Sequence, residues 1–165
     1  MSEILAGSGA KINRFGHRTE FWRRIALREA RRVLRSGGVL LAAAVGRFAS
    51  LLAGLFDGLL GDPEFRAIVE RGLRDGQHRN PTPRDFFTTA FFHRPDELAA
   101  EVREAGFALV ALLGVEGPAW PLPDVARRFA QPDERERLLE AARAVEAEPS
   151  LLGLSAHLLA VGRAP

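Results

Sequence analysis

The sequence predicts an α/β domain, a small sheet with helices packed on both faces, and three observations lead there. Residues 26–45 read ALREARRVLRSGGVLLAAAV: an Arg-rich amphipathic helix, a Ser-Gly-Gly turn, then an uncharged apolar run. That is a helix feeding a buried strand, half of a parallel α/β unit. Two further apolar runs, at 107–115 and 151–161, each follow helical segments, so strands alternate with helices along the chain. A length of 165 residues with 47% hydrophobic side chains suits one domain with a core of its own.

Taken in order, the first helix is expected from Thr19, an N-cap residue type, to Arg35, with Ile25, Ala26, Ala30, Val33 and Leu34 on its apolar face. Gly37 and Gly38 end it, and Val39–Val45 is the first strand, read as buried on both faces. Residues 47–60 have a helical period interrupted by Gly54 and Gly58. Asp62-Pro63 opens a helix over 63–74, and 75–85 is a loop punctuated by Pro81 and Pro83. The aromatic stretch FFTTAFFHRP leads into a helix over 96–105, with Pro95 at its start and Gly106 at its close. Phe107–Val115 is the second strand, helical signals cover 124–129 and 132–147, and Leu151–Val161 is the third strand. The strand after Gly38 would normally be interior, which leaves it short of an outer neighbour.

The chain has no cysteine, which removes disulfides, thiolate nucleophiles and Cys-ligated metals and fits a reducing cytoplasm. No apolar run is long enough for a membrane span, and the first residues lack a signal-peptide core. The basic residues are all Arg except Lys11. Residues 1–35 carry nine basic and three acidic side chains, the remainder fourteen and eighteen. This distribution reads as a solvated helix face and a loose terminus, and no interleaving of aromatic with basic residues points to nucleic acid.

The segments ALREARRVLRSGGVLLAAAV, FFTTAFFHRPDEL and EAGFALVALLGVEGP, in that order and spacing, resemble the C-terminal half of class I S-adenosylmethionine-dependent methyltransferases of the small-molecule type. The similarity covers residues 26–165. Residues 1–25 do not share it and are expected to be poorly ordered. The resemblance implies a partial Rossmann-like sheet in which Val39–Val45 is strand five, Phe107–Val115 strand six and Leu151–Val161 an antiparallel strand seven inserted between them. It implies that the N-terminal half of the family fold is missing. The family holds its cofactor on a Gly-rich turn after strand one and an acidic residue ending strand two. This sequence has neither; Ala6-Gly7-Ser8-Gly9-Ala10 is a lone Gly-x-Gly without its strand, so no cofactor-binding residue is assigned.

The resemblance places a small-molecule acceptor over the strand ends. Arg47, Phe48, Phe87, Phe91 and Trp120 are the substrate-binding candidates there, with Gly46, Phe86, Phe92 and Gly117 nearby. His78, His93 and Glu116 are candidate acid–base groups. Asn80 before Pro81 is read as a turn residue, and His157, inside an apolar run, as a hydrogen-bonded core histidine. The four histidines lack metal-ligand spacing, so no metal is expected. The implied activity is methyl transfer from S-adenosylmethionine to a small molecule, by a chain that lacks its own cofactor pocket. The alternative is a non-catalytic module that pairs through an exposed strand edge, with a second copy or a complementing N-terminal half as partner.

Overall fold

The computed structural model describes residues 15–80, 86–87 and 89–165, with side chains from Trp22 onward. The Arg-rich helix α1 (Phe15–Val33) begins ahead of the expected Thr19 cap, so part of the segment 1–25 is helical; residues 1–14 lie outside the described residues. Strand β1 (Val39–Val45) has the expected bounds. Helix α2 (Ala49–Phe56) gives way at Gly58 to a 3-10 turn over Leu59–Gly61. Helix α3 (Pro63–Asp75) starts where expected, because the Asp62 carboxylate accepts the backbone N–H groups of Glu64 and Phe65. The two-residue strand β2 (Gln77–His78), inside the expected loop, pairs antiparallel with β3 (Ala90–Phe91) in the aromatic stretch. Residues 81–85 and 88, which include Pro81 and Pro83, lie outside the described residues. Helix α4 (Pro95–Glu104), strand β4 (Ala108–Gly114), helices α5 (Val125–Phe129) and α6 (Pro132–Val145) and strand β5 (His157–Arg163) complete the order.

The last strand departs most from expectation. Leu151–Leu154 is turn, with a 3-10 segment over Leu152–Leu154, and the strand runs on to Arg163. Leu152 drops into the core and the Ser155 hydroxyl bonds Glu116, so the apolar run LLGLSAHLLAV is divided by packing that its composition does not mark.

The described residues form a mixed α/β fold with six α-helices and a three-stranded sheet in the order β1-β5-β4. Both ladders of this sheet are antiparallel; β1 and β4 run parallel to each other, on either side of β5. The C-terminal strand thus lies between the other two and antiparallel to both, the placement expected for these three strands.

Among the described residues, helices cover one face of the sheet only. Leu98 and Val102 of α4 pack with Leu27, Ala30 and Leu34 of α1 on the side formed by Leu158, Ala160, Leu40, Ala42, Leu109 and Leu112. Gly162 lets α4 sit close, since a Cβ there would lie 3.2 Å from both Val102 and Phe107. The opposite face carries Leu41, Val161 and Ala111 in one row across the strands and Ala43, Leu159 and Leu113 in the next. None of these six belongs to either packed cluster, and Leu41 is 65% exposed. The reading of β1 as buried on both faces is thus corrected. Helices α2 and α3 do not lie on this face; they gather beyond the end of β1 around Phe65, Ile68, Val69 and Phe86. No helix among the described residues is long and apolar enough to cross a membrane.

Candidate functional site

A cavity of about 250 Å³ opens where β1 ends and α2 begins. Its lining is almost wholly apolar: Val45, Ala49, Ala53, Leu59, Phe65, the aromatic rings Phe86, Phe87, Phe92 and Trp120, and the edge residues Ala156, Ser50 and His157. Close backbone packing places these elements. Gly46 N–H donates to the Ala156 carbonyl at 2.8 Å, and a Cβ on Gly46 would lie 2.8 Å from the Ser155 carbonyl oxygen. Only glycine brings the start of α2 this near to the start of β5. Phe87 sits in the left-handed region (φ 71°), and its carbonyl accepts from Asn80 Nδ2 at 3.0 Å. Asn80 thus holds an unfavourable backbone conformation at the cavity wall.

One of the two polar side chains on its wall, His157, is paired with a carboxylate behind it. His157 is the first residue of β5 and half exposed, and its Nδ1 bonds Glu116 Oε1. The second oxygen of Glu116 accepts the Ser155 hydroxyl at 2.8 Å and the His157 backbone N–H at 2.9 Å. Ser155 is buried, and its oxygen in turn accepts the Glu116 N–H at 2.9 Å. Burial pushes the Glu116 carboxyl up. The bonds from the His157 ring, the His157 backbone and Ser155 outweigh it and hold the group below the ordinary carboxylate range. An ionised Glu116 fixes the proton on Nδ1 and leaves Nε2 of His157 as the basic nitrogen. Trp120, whose Nε1 donates to the Leu154 carbonyl at 2.8 Å, stands beside them.

The candidates from sequence separate into two groups. Phe87 and Trp120 line the cavity, and Glu116 reaches it through His157. Arg47, Phe48 and Phe91 are not brought there. Arg47 is 4% exposed; its Nη2 reaches the Glu97 carboxylate at 2.8 and 2.6 Å, and its Nε donates to the Phe92 carbonyl at 2.9 Å. Phe48 lies against Gly153 and under Arg94. Phe91 is held between Arg23, 3.5 Å above its ring, and the edge of His93.

The other two histidine candidates, His78 and His93, are held inside the fold away from the cavity lining. His78 is 1% exposed, donates from Nε2 to the Phe86 carbonyl at 2.8 Å, accepts the Ser50 hydroxyl on Nδ1 at 3.0 Å and stacks on Phe92. Burial lowers its pKa, against the upward pull of the Phe86 carbonyl, so it stays neutral with both nitrogens engaged. His93 is buried, with Nε2 at 3.2 Å from Glu101, a carboxylate that also takes Arg23 at 2.8 Å. Sequence reasoning missed His157 as a site residue. Alternation along HLLAVGR places it on one face with Leu159 and Val161, but which face the helices leave open is a tertiary fact.

No protein-family model matches this sequence, and no curated protein is detectably similar to it.

Proposed function

We propose that this chain is the acceptor-binding part of a methyltransferase-type sheet, acting on a small, mainly apolar molecule that carries an ionisable O–H or N–H group. The single observation that supports this reading most is the antiparallel C-terminal strand lying between β1 and β4, with an apolar cavity and a basic nitrogen at the end of that arrangement. The acceptor's ring or chain fills the aromatic lining, and its nucleophilic atom lies toward His157 Nε2. His157 takes the proton, and Glu116, a positioning residue, stabilises the imidazolium that forms.

The described residues do not fit S-adenosylmethionine by themselves. Among them, no carboxylate lines the cavity, and Glu116 behind His157 is already committed to Ser155 and His157, so none is left for a ribose diol. The cofactor belongs, in this reading, to a complementing half that pairs with β1 and covers the bare sheet face. Calorimetry separates the two parts. S-adenosylmethionine gives no heat with this chain, whereas 4-nitrophenol binds with a Kd of order 0.1–1 mM. Ala53→Phe, which fills the cavity, weakens that binding at least tenfold. His157→Gln leaves it within about threefold and removes the extra phenolate absorbance that the wild type shows below the pKa of the free probe. Absence of saturable phenol binding contradicts the reading.

A second reading rests on the edge of β1. The Val45 carbonyl accepts the His93 N–H at 2.7 Å on the side away from β5, so by alternation Val39, Leu41 and Ala43 turn their backbone groups to the same open side. A second copy pairing there gives a dimer without any chemistry. Light scattering then reports a dimer that Leu41→Lys converts to monomer, and a wild-type monomer at tens of micromolar rules this reading out.

A further inference from the structure

A second apolar cavity, of about 370 Å³, lies between α5, α6 and the turn after β4, and the acceptor site leaves it unused. Its walls include Val125 and Phe129 of α5 and Leu138 and Leu139 of α6, and it shares Trp120 with the first cavity. Glu116 lines this second cavity while its partner His157 lines the first, so one hydrogen-bonded pair stands between the two spaces. Phe129 and Val115 remain about half exposed, which leaves the cavity open to entry. The rim of α5 is held by Asp124, which takes Arg127 at 2.6 Å and Arg128 at 2.8 Å.

We propose that this cavity binds the alkyl or aryl tail of the acceptor, so that the ligand is an elongated molecule with a polar head at His157 and an apolar tail of up to roughly a dozen carbons beyond Trp120. The inference rests on the acceptor reading for the head and on the second cavity alone for the tail. Two apolar spaces that share one aromatic wall, with a hydrogen-bonded polar pair between them, suit an alkylphenol or a fatty amine better than a compact polar metabolite. A polar tail would leave its hydrogen-bonding groups unpaired against Val125, Leu138 and Phe129.

The test is a series of 4-alkoxyphenols of increasing length, with binding read from Trp120 fluorescence in a Trp22→Phe background. Affinity rises about threefold to fourfold per methylene while the tail fills the cavity, then levels off. Leu138→Phe shortens the length at which it levels off by two or more carbons, and Phe129→Ala lengthens it, while phenol binding changes in neither. Opposite shifts from the two variants cannot come from partial unfolding. Affinity independent of chain length, or a plateau that neither variant moves, overturns the proposal. Simple 1-alkanols with the same length dependence, in the absence of phenol binding, keep the second cavity as the tail site and overturn the acceptor reading alone.

Discussion

Arg47→Ala lowers the unfolding free energy by about 3–5 kcal/mol, a large share of what a domain of this size possesses. The side chain is buried at the junction of four segments. Its Nη2 meets Glu97 of α4, Nε donates to the Phe92 carbonyl and Nη1 reaches the Leu73 carbonyl at the end of α3. Gly76 lies against the same guanidinium, where a Cβ would approach Nη2 to 2.6 Å. Truncation leaves a cavity, two carbonyls without a donor and a carboxylate without its cation. Arg47→Met keeps most of the packing but not the bonds, so its cost falls between those of wild type and alanine. Adding Glu97→Gln to Arg47→Met recovers part of the loss. Urea melts of the four proteins at neutral pH measure these steps, and an Arg47→Ala cost under about 1 kcal/mol, the range of surface pairs, contradicts the buried junction.

Acid destabilises the fold through Glu101. Burial pushes this carboxyl up, but the hydrogen bonds and charges of His93 and Arg23 prevail and bring it down to about 2. A carboxyl whose folded pKa lies below its unfolded value contributes stability above the unfolded pKa. That contribution is lost as pH falls from the ordinary glutamate value of 4.5 toward 2. The full amount is roughly 3.5 kcal/mol, since a tenfold change in an acid constant corresponds to ~1.4 kcal/mol, and about 2 kcal/mol of it is lost between pH 7 and pH 3. Melts at pH 7 and pH 3 show a drop of this order for wild type. Glu101→Gln is already destabilised at pH 7 and loses less between the two pH values. Parallel pH profiles for both proteins contradict the assignment.

The same network shows where the sequence stops being legible. Val39–Val45 is readable because a Gly-Gly turn and Gly46 bracket seven uncharged residues. Helices α3 and α4 are readable because Asp62-Pro63 and Pro95 with Gly106 punctuate them. The start of β5 is not readable, since nothing local divides Leu151–Leu154 from His157–Arg163; the division comes from Leu152 in the core and Ser155 on Glu116. Arg47 lies next to the cavity in sequence, yet its partner Glu97 is fifty residues away, so its burial follows from tertiary pairing alone. His157 and the buried His78 and His93 exchange roles for the same reason. A histidine among apolar residues is core only where both faces of its strand are covered, and among the described residues no helix packs on one face here.

That face links the fold to the proposed function. The cavity, the basic nitrogen of His157 and the uncovered rows of Leu41 and Leu159 all lie on the side of the sheet that α1 and α4 leave open. In the proposed reading, an acceptor held there faces the partner that pairs with β1. Arg47 and the Glu101 network matter to it indirectly, by fixing the aromatic segment 90–93 beside the end of β1.

The most direct measurement is a titration of the chain with 4-nitrophenol followed by NMR of the imidazole and indole resonances. The expected result is that the His157 ring signals and the Trp120 Nε1–H signal shift together and saturate at one Kd, with His93 unmoved. Saturable binding that leaves His157 unmoved, or no saturable shift at Trp120, contradicts the placement of the acceptor at this end of the sheet.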